Sequence, residues 1–355
     1  MTTKSKKKVL GRRRNGLCAI DLFSGCGGLT LGLKQAGFRV LGAVEIDATA
    51  VKTYEANHPD VYVKQADIKK VSAAGLMHDL NIRPGELDLL AGCPPCQGFS
   101  TLRTNNGARR NRDARNNLVH DMLRFTRALR PKAVMMENVP GLMRHKPFRD
   151  LCDGLRKLGY RLTFAVKDAA QFGVPQRRRR LILLAGRGFD IEFAAESRRP
   201  RTVRGAIGRL AEPGRSRDSL HNIPERKRLQ RIEQLIKDIP KNGGSRGDLP
   251  RRRQLQCHKD RDGFHDIYGR MAWDKVAPTI TSGCFNPSKG RFLHPERNRA
   301  ITMREAALLQ GFPKGYVFDV SAGKEAIALM IGNAFPPEFI RRHALEIYNT
   351  LKQHA

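Results

Sequence analysis

Long hydrophobic runs are missing from this sequence. None approaches the ~18 apolar residues that a membrane-spanning helix needs, and the longest candidates, such as residues 181–185, have the length of a strand. A secretory signal is also missing, because the basic residues 4–14 are followed by a short apolar run that Asp21 interrupts. Seven cysteines, an odd number in 355 residues, fit a reducing compartment better than a disulfide framework. We therefore expect a cytoplasmic protein rather than a secreted mini-protein or a membrane protein.

Acidic residues are scarce: 34 Asp and Glu face 66 Lys and Arg, which gives a net charge of +32. A net charge of this size destabilises a folded protein through self-repulsion. The Lys and Arg residues cluster in residues 4–14, 103–115, 177–180 and 251–253. A merely solvated basic surface is the alternative, but the clustering favours a polyanionic partner, of which nucleic acid is the obvious one. The hydrophobic content of 40% is ample for a buried core.

The first half of the chain alternates short apolar segments with amphipathic helical patterns. Strands are predicted at residues 17–22, 40–45, 61–63, 87–91, 133–136 and 181–185. This alternation predicts an α/β fold with a doubly wound, largely parallel sheet. From Arg187 to about Trp273 the periodicity weakens and Arg, Pro and Gly dominate, which predicts a smaller, irregular second domain. Thr302 and Glu305 have capping-box spacing, and a final helix carries Ile340, Ala344, Ile347 and Leu351 on one face.

Polar and glycine-rich groups follow the predicted strands of the first half. They are the segment from Asp21 to Gly28, Glu45, Asp67, the turn from Pro94 to Cys96, and the pair Glu137 and Asn138. In a doubly wound sheet, ligands bind outside the carboxyl ends of the strands. These groups are therefore predicted to line one crevice.

The glycine-rich turn predicts a nucleoside site. Gly25, Gly27 and Gly28 permit a tight turn and close approach of a ligand, although the full GxGxxG pattern is missing. Glu45 follows Gly28 by 17 residues, close to the ~20 expected of an acid that binds ribose hydroxyls. The acidic residues Asp21, Glu45 and Asp67 favour a cationic nucleoside such as S-adenosylmethionine over NAD.

Two interpretations of Cys93-Pro94-Pro95-Cys96 are open. The spacing matches a thioredoxin-like dithiol, but it also suits a single nucleophilic thiolate, Cys96, on a rigid prolyl turn. Glu137 is either an exposed acid or, if burial raises its pKa, a proton donor beside that thiolate. Strand alternation from Gln176 onward would place Arg178 and Arg180 on one face, leaving Arg177 and Arg179 as a phosphate-binding run.

Taken together, these segments resemble the C5-cytosine DNA methyltransferase family. Six motifs occur in the family's order: residues 21–28, 92–100, 137–139, Gln176-x-Arg178-x-Arg180, Arg299 through residues 310–313, and residues 332–337. Cys93 stands where the family often has Gly, and Phe335 where it often has Val. Neither position has a catalytic role in the family.

The resemblance implies a Rossmann-like methyltransferase sheet, a smaller target-recognition domain and a covalent mechanism. Cys96 would add to C6 of a flipped cytosine, Glu137 would act at N3, and Arg180, with Arg178, would contact O2. S-adenosylmethionine would be the cofactor, S-adenosylhomocysteine the product, and no metal is expected. The resemblance implies that these residues line the cofactor site: Phe23, Ser24, Gly25, Gly27, Gly28, Leu29, Glu45, Ile46, Asp67, Ile68 and Asn333.

We expect a disordered basic tail in residues 1–16, because its Lys and Arg residues have no acidic residue among them. The resemblance implies a discontinuous catalytic domain in residues 17–186 plus 325–355 and a target-recognition domain in residues 187–324. The implied partner is a short specific sequence in double-stranded DNA, and a monomer in the bacterial cytosol or nucleoid, with a possible cognate restriction enzyme, is expected. DNA contacts are expected from Gln97, Ser100, Arg103, Arg109, Arg110, Thr281, Lys289 and Arg291.

Three other functions are alternatives to DNA methylation. A nucleic-acid-binding protein without catalysis would have damaged motifs, yet Cys96, Glu137 and Arg180 are present. A relative that methylates tRNA is the second alternative. The long basic insert before Arg299 favours a DNA substrate over tRNA. A nicotinamide oxidoreductase is a distant third.

Overall fold

The structure is a computed structural model, and it describes residues 16–95, 118–256 and 265–354. Its strands are β1 (Cys18–Leu22), β2 (Arg39–Glu45), β3 (Tyr62–Gln65), β4 (Leu89–Gly92), β5 (Ala133–Asn138), β6 (Tyr160–Asp168) and β7 (Arg179–Arg187). The α-helices in these ranges are α1 (Gly28–Gln35), α2 (Ala48–Asn57), α3 (Ala73–Leu80), α4 (Leu118–Leu129), α5 (Lys146–Lys157), α6 (Val203–Ile207), α7 (Gln230–Asp238), α8 (Met303–Gln310), α9 (Lys324–Asn333) and α10 (Pro337–Gln353).

The seven strands form one sheet in the order β3-β2-β1-β4-β5-β7-β6. The pairs β1–β2, β1–β4, β2–β3 and β4–β5 are parallel, whereas β7 runs antiparallel to β5. The chain moves outward from β1 to β3 and then returns to the other side of β1 with β4. This reversal creates a switch point at the carboxyl ends of β1 and β4, where ligands bind in sheets of this type.

Burial on both faces explains the sequence of the central strands. All five residues of β1 and all four of β4 are buried, which is why these segments are nearly continuous apolar runs rather than alternating ones. Helix α4 packs closely beside β4: a Cβ at Gly92 would lie 2.7 Å from Met122 Sδ and 2.9 Å from Leu22 O. Glycine is therefore required where β4 ends, directly before the Cys-Pro-Pro-Cys segment.

The chain divides into two compact units. Unit 1 comprises Met1–Lys167, Arg179–Ala194 and Ile340–Ala355, and unit 2 comprises Asp168–Arg178 and Ala195–Phe339. This is a division by compactness, so the predicted catalytic and target-recognition domains, which are defined by function, stay a prediction. The described part of the predicted basic tail is Gly16 alone.

Unit 2 is held together in part by a buried arginine rather than by regular secondary structure. Arg270 has no exposed surface, and its guanidinium donates hydrogen bonds to the carbonyl oxygens of Ile236, Ile239, His294 and Arg297 and to Asn298 Oδ1. Buried donors need such partners, and carbonyls at the end of α7 and in the 294–298 turn supply them. This arrangement explains how an Arg-rich segment with weak periodicity can still fold.

The predicted α/β fold class with its doubly wound, mostly parallel sheet is confirmed. The capping box is confirmed as well: Thr302 Oγ1 accepts from Glu305 N, and a Glu305 carboxylate oxygen accepts from Thr302 N at 2.7 Å. The predicted strand from Gln176 onward is wrong. Strand β7 begins at Arg179, because Arg178 N instead donates to Asp168 Oδ1 and the Arg178 side chain turns into unit 2.

Candidate active site

The turn after β1 has the backbone conformation of a ligand-binding loop. Phe23, Gly25 and Gly27 all have positive φ, at 61°, 52° and 94°. A positive φ costs a non-glycine residue such as Phe23 about 1 kcal/mol or more, and such strain concentrates at functional sites. A Cβ at Gly25 would meet nothing within 4 Å, so the space above the turn is open. Gly27 then serves as the N-cap of α1, to which Gly28 and Leu29 belong.

Glu45, at the end of β2, is tied to this turn. Its Oε2 accepts a hydrogen bond from Gly25 N at 2.8 Å, and its Oε1 accepts from Ile46 N and Asp47 N at 2.9 Å each. Asp47 in turn caps α2, because its side chain accepts hydrogen bonds from Thr49 N and Ala50 N. The next residue along, Ile46, has 64% of its surface exposed. An exposed isoleucine beside a glycine turn is suited to cover an apolar ring.

Asp21 lies buried under the same turn. Its Oδ2 accepts a hydrogen bond from Thr30 Oγ1 at 2.7 Å, and Thr30 Oγ1 is also 2.7 Å from the Tyr54 hydroxyl. Burial raises the pKa of Asp21 to about 7; the charge of Glu45 adds to the rise, whereas the Thr30 hydrogen bond opposes it. The carboxyl is therefore partly protonated near neutral pH.

These residues fit an adenosine-type cofactor. Asp21 Oδ1 and Ser24 Oγ are buried and have no hydrogen-bond partner among the described residues, and both belong to the first strand and its turn. Orphaned buried polar atoms of this kind call for a polar group or water from outside the chain. Asp67 caps a short 3₁₀ helix (Ile68–Lys70) that follows β3, and Ile68 is buried. The carboxyl ends of β1, β2 and β3 thus offer polar atoms and an open turn.

A buried ion pair occupies the carboxyl end of β5. Arg180 Nε lies 2.8 Å from Glu137 Oε1, and only 8% of Glu137 is exposed. The sheet explains the contact: Glu137 pairs with Ile182 across the antiparallel β5–β7 ladder, and Arg180 lies two residues before Ile182 on the same face. Diagonal neighbours in a ladder are within reach of long side chains. The predicted catalytic residues Glu137 and Arg180 are therefore in contact.

The Cys-Pro-Pro-Cys segment is fastened to both neighbouring strands. Asn138 Nδ2 donates to Pro94 O at 3.0 Å, Asn138 Oδ1 accepts from Val139 N at 2.8 Å, and Cys93 N donates to Leu22 O at 3.3 Å. The sequence predicts a chemical role for Glu137 but none for Asn138, although Asn138 is the next residue of the same motif. Asn138 fixes the carbonyl of Pro94, two residues before Cys96 in the chain.

Several predicted site residues lie in unit 2. Arg178 is buried, and its guanidinium donates to Ile280 O at 3.1 Å and Gly332 O at 3.0 Å. Asn333 ends α9 and is exposed. Gln176, which was not predicted as a site residue, donates to Gln310 Oε1 and Leu309 O and accepts from Ile280 N. The Gln and first Arg of the Gln-x-Arg-x-Arg motif thus organise unit 2.

The predicted DNA contacts of unit 2 differ in their surroundings. Lys289 is exposed, and Thr281 Oγ1 accepts from Gly283 N. The Arg291 guanidinium is bound to its own unit, by an ion pair with Asp266 and by hydrogen bonds to the carbonyls of Gly243 and Gly244. The other predicted catalytic and DNA-binding residues lie outside the described residues: Cys96, Gln97, Ser100, Arg103, Arg109 and Arg110.

His58 is another residue that sequence analysis missed. Its Nε2 lies 3.2 Å from Gly27 O, and burial lowers the pKa of His58 to about 4, with Lys34 acting in the same direction. The neutral ring can therefore donate to the carbonyl of the glycine turn. Nothing in the local sequence marks this histidine, because its partner is 31 residues away.

The sheet order, the glycine turn and the acidic residues at the strand ends define a Rossmann-like α/β protein with a ligand site at the switch point. The solved structures identify this fold as that of a methyltransferase. Comparison with known proteins agrees: a solved E. coli protein described as a candidate DNA modification methyltransferase encoded within a prophage has a TM-score of 0.69 and 28% identity, covering 95% of this chain and 99% of that one. Type II methylase M.HgiDII of Herpetosiphon aurantiacus is 36% identical over 335 residues, covering 89% of this chain and 91% of that protein.

A second relative is Type II methyltransferase M1.HphI of Haemophilus parahaemolyticus, 36% identical over 329 residues, covering 90% of this chain and 84% of that protein. Residues 17–349 match the family model described as C-5 cytosine-specific DNA methylase. The chain belongs to this family, and it is therefore a DNA (cytosine-5-)-methyltransferase. An enzyme of this family acts on DNA and uses S-adenosylmethionine as its methyl donor. No helix in the described ranges is long and apolar enough to cross a membrane.

Proposed function

We propose that the protein methylates C5 of a cytosine within a short specific sequence of double-stranded DNA, through a covalent bond between Cys96 and C6. The ion pair between Glu137 and Arg180 carries this proposal. It places a carboxyl and a guanidinium together at the strand end beside β4, from which the chain leads through Pro94 and Pro95 to Cys96.

The chemistry requires a nucleophile, because C5 of cytosine is a poor one by itself. Addition of the Cys96 thiolate to C6 moves electron density to C5, while Glu137 donates a hydrogen bond or a proton at N3. S-adenosylmethionine supplies an electrophilic methyl group to C5 when it is bound. Loss of the C5 proton to water then returns the electron pair to the ring, and N3 gives any proton it received back to Glu137. The bond from Cys96 to C6 breaks to release 5-methylcytosine and the Cys96 thiolate.

Arg180 is assigned the contact with O2 of the base. A guanidinium offers several donors in a fixed plane. Arg180 can hold Glu137 with Nε and Arg179 O with Nη1, at 2.8 Å each, and still present Nη2 to the base. Arg178 was the other candidate from the sequence. We assign it to unit 2 instead, since its two terminal nitrogens already donate to Ile280 O and Gly332 O.

Cytosine C5 and C6 are unreachable from a side chain while the base is stacked in a duplex. We therefore infer that the target base is flipped out, at a cost of a few kcal/mol. Residues 187–324 are proposed to recognise the DNA sequence, with Thr281 and exposed Lys289 as contacts. Arg291, held by Asp266 and backbone carbonyls, is proposed to shape that surface rather than to reach far into a groove.

The cofactor is proposed to bind over the turn from Phe23 to Leu29. Asp21 Oδ1 and Ser24 Oγ offer unpartnered polar atoms, and exposed Ile46 would cover the adenine. Glu45 would exchange one of its backbone hydrogen bonds for a ribose hydroxyl. Asp67, Ile68 and Asn333 complete the proposed set from the family resemblance.

We further propose a monomer that works in the bacterial cytoplasm. A cognate restriction enzyme is the proposed companion, because the curated relatives described above are Type II methylases. A Type II system needs the methylase and the nuclease to recognise one DNA sequence. The recognition sequence found for the methylase would therefore identify the partner's site.

Bisulfite sequencing of DNA from a methylation-free host expressing the protein tests this function. Methylcytosine confined to one short sequence is expected for the wild type, and none for Cys96→Ala, which should still bind the cofactor. Duplex DNA carrying 5-fluorocytosine should trap a covalent adduct, because fluorine cannot leave as a proton does. Methylation by Cys96→Ala would overturn the nucleophile assignment, and methylation of RNA alone would overturn the DNA assignment.

A further inference from the structure

Cys93 is the first cysteine of the Cys-Pro-Pro-Cys segment, and the proposed chemistry does not use it. Strands β4 and β5 are parallel, and Gly92 pairs with Met136. Cys93 follows Gly92 and Glu137 follows Met136, so the two residues lie side by side at the ends of neighbouring strands. Their side chains therefore leave the sheet on the same side. The backbone of Cys93 is also fixed, because its N–H donates to Leu22 O at 3.3 Å.

The register of β4 and β5 brings the thiol of Cys93 beside the Glu137 carboxylate, and the charge of that carboxylate acts on the thiol. Burial raises the pKa of this thiol well above its usual value; the charges of Glu137 and Asp21 raise it further, and Arg180 opposes them. The sulfur is therefore a neutral S–H group at neutral pH. A neutral thiol beside a carboxylate is a hydrogen-bond donor, although a weak one.

Glu137 therefore has a neighbour on each adjacent strand. Arg180 on β7 approaches it as an ion pair at 2.8 Å, and Cys93 approaches it from the end of β4. Asp21 on β1 is a third titratable group in this surrounding, since its charge reaches Cys93. The thiol is the member of this set that the proposed function leaves without a role.

We propose that Cys93 is a positioning residue whose thiol donates a hydrogen bond to the Glu137 carboxylate and so sets the pH range in which Glu137 can act on cytosine. This inference rests on the proposed function of Glu137. A donor to the ionised carboxylate stabilises that form, so Glu137 gives up its proton at lower pH with the thiol than without it. If Glu137 must be protonated to act at N3, the methylation activity falls as rising pH removes the proton from Glu137.

The variants Cys93→Val and Cys93→Thr test this inference, because Val and Thr have the same shape and only Thr has a hydroxyl donor. In a profile of kcat/KM against pH, we expect the alkaline fall in activity of Cys93→Val to move to higher pH by roughly half a pH unit. Cys93→Thr should restore the wild-type position. A fall at the wild-type pH in Cys93→Val, or equal shifts in both variants, would overturn the inference.

A second measurement does not depend on catalysis. Glutamate labelled with ¹³C at the side-chain carboxyl gives an NMR signal for Glu137, assigned by its loss in Glu137→Gln. The midpoint of its pH titration should rise in Cys93→Val and not in Cys93→Thr. An enzyme without methylation activity would defeat the proposed function, whereas an unchanged midpoint in Cys93→Val would defeat the role of Cys93 alone.

Discussion

Arg178 and Arg180 show how two residues of one motif can do different work. Arg178 is buried and holds two backbone carbonyls of unit 2, whereas Arg180 pairs with Glu137 in unit 1. The sequence predicted that both arginines would share one strand face. It could not reveal that the strand begins only at Arg179, because that boundary depends on the hydrogen bond from Arg178 N to the distant Asp168.

Lysine substitutions separate these two roles. Arg180→Lys keeps the charge but loses the planar fork, so we expect kcat to fall by about tenfold or more with a change in unfolding free energy below about 1 kcal/mol. Arg178→Lys should instead lower the unfolding free energy by about 2 kcal/mol, because one ammonium cannot serve both carbonyls. Urea denaturation and methylation assays on both variants check this. Full turnover by Arg180→Lys would contradict the assignment of Arg180 to the base.

Asp21 links the stability of unit 1 to pH. Its pKa in the folded protein is raised from 3.8 to about 7, so the folded state favours the protonated carboxyl. The stability that this preference contributes is full below pH 3.8 and is lost as the pH rises to about 7. Asn at this position imitates the neutral carboxyl at every pH.

We therefore expect Asp21→Asn to gain stability relative to the wild type as the pH rises. Without cofactor, the difference in unfolding free energy between variant and wild type should grow by about 1 kcal/mol or more from pH 5 to pH 8. Urea denaturation at both pH values measures it, and Asp60→Asn, at an exposed position, serves as the control. A difference that stays constant with pH would show that Asp21 titrates in its ordinary range.

Helix α8 is the element whose beginning was best predicted from the sequence. The spacing of Thr302 and Glu305 identified its capping box because capping depends on residues within one turn. The structure adds partners that the spacing could not reveal. Glu305 receives two hydrogen bonds from Arg299, at 2.7 and 2.8 Å, and Thr302 Oγ1 lies 2.8 Å from His221 Nδ1.

These contacts predict the effect of removing the cap. Thr302→Ala should lower the unfolding free energy of the protein by about 1–2 kcal/mol, because it leaves Glu305 N and the buried His221 without their partner. Thr302→Ser keeps the hydroxyl and should cost less than about 0.5 kcal/mol. Chemical denaturation of both variants provides the measurement. Equal losses in the two variants would indicate that the methyl group, rather than the hydroxyl, is important.

The strands of the sheet were predicted unevenly. The buried strands β1, β2, β4 and β5 are short apolar runs, which periodicity detects. Strand β6 was missed because its residues are mostly half-buried and carry no clear apolar run. The antiparallel direction of β7 was not predicted either. Only ten residues without an α-helix separate β6 from β7, too few for a parallel crossover, and this spacing was the available signal.

At the scale of the whole molecule, charge governs the encounter with DNA. The net charge is +32, and residues 2–14 contain seven basic residues and no acidic one. Each phosphate contact steepens the fall of affinity with salt by about 0.9 in a plot of log K against log salt concentration. This charge was fully predictable from the sequence, whereas the DNA sequence that is recognised depends on side-chain positions that composition does not encode.

Deleting residues 2–14 should weaken binding to nonspecific duplex DNA and reduce that salt slope by about 3 to 6. The methylated sequence should stay the same, because phosphate contacts carry no base information. Fluorescence anisotropy between 50 and 300 mM salt checks the slope, and bisulfite sequencing checks the site. A variant of full length with the seven basic residues replaced by Gln is the matched control. An unaltered slope in both variants would mean that the tail does not touch DNA.

The antiparallel pairing of β5 with β7 makes the site sensitive to chain length as well as to residue type. Arg180 faces Glu137 only while Ile182 stays opposite Glu137. Removing one codon between Arg180 and Ile182 would turn the arginine to the other side of the sheet, although every functional side chain would still be encoded. Single-codon deletions at this point should therefore abolish methylation more completely than conservative replacements of the same residues.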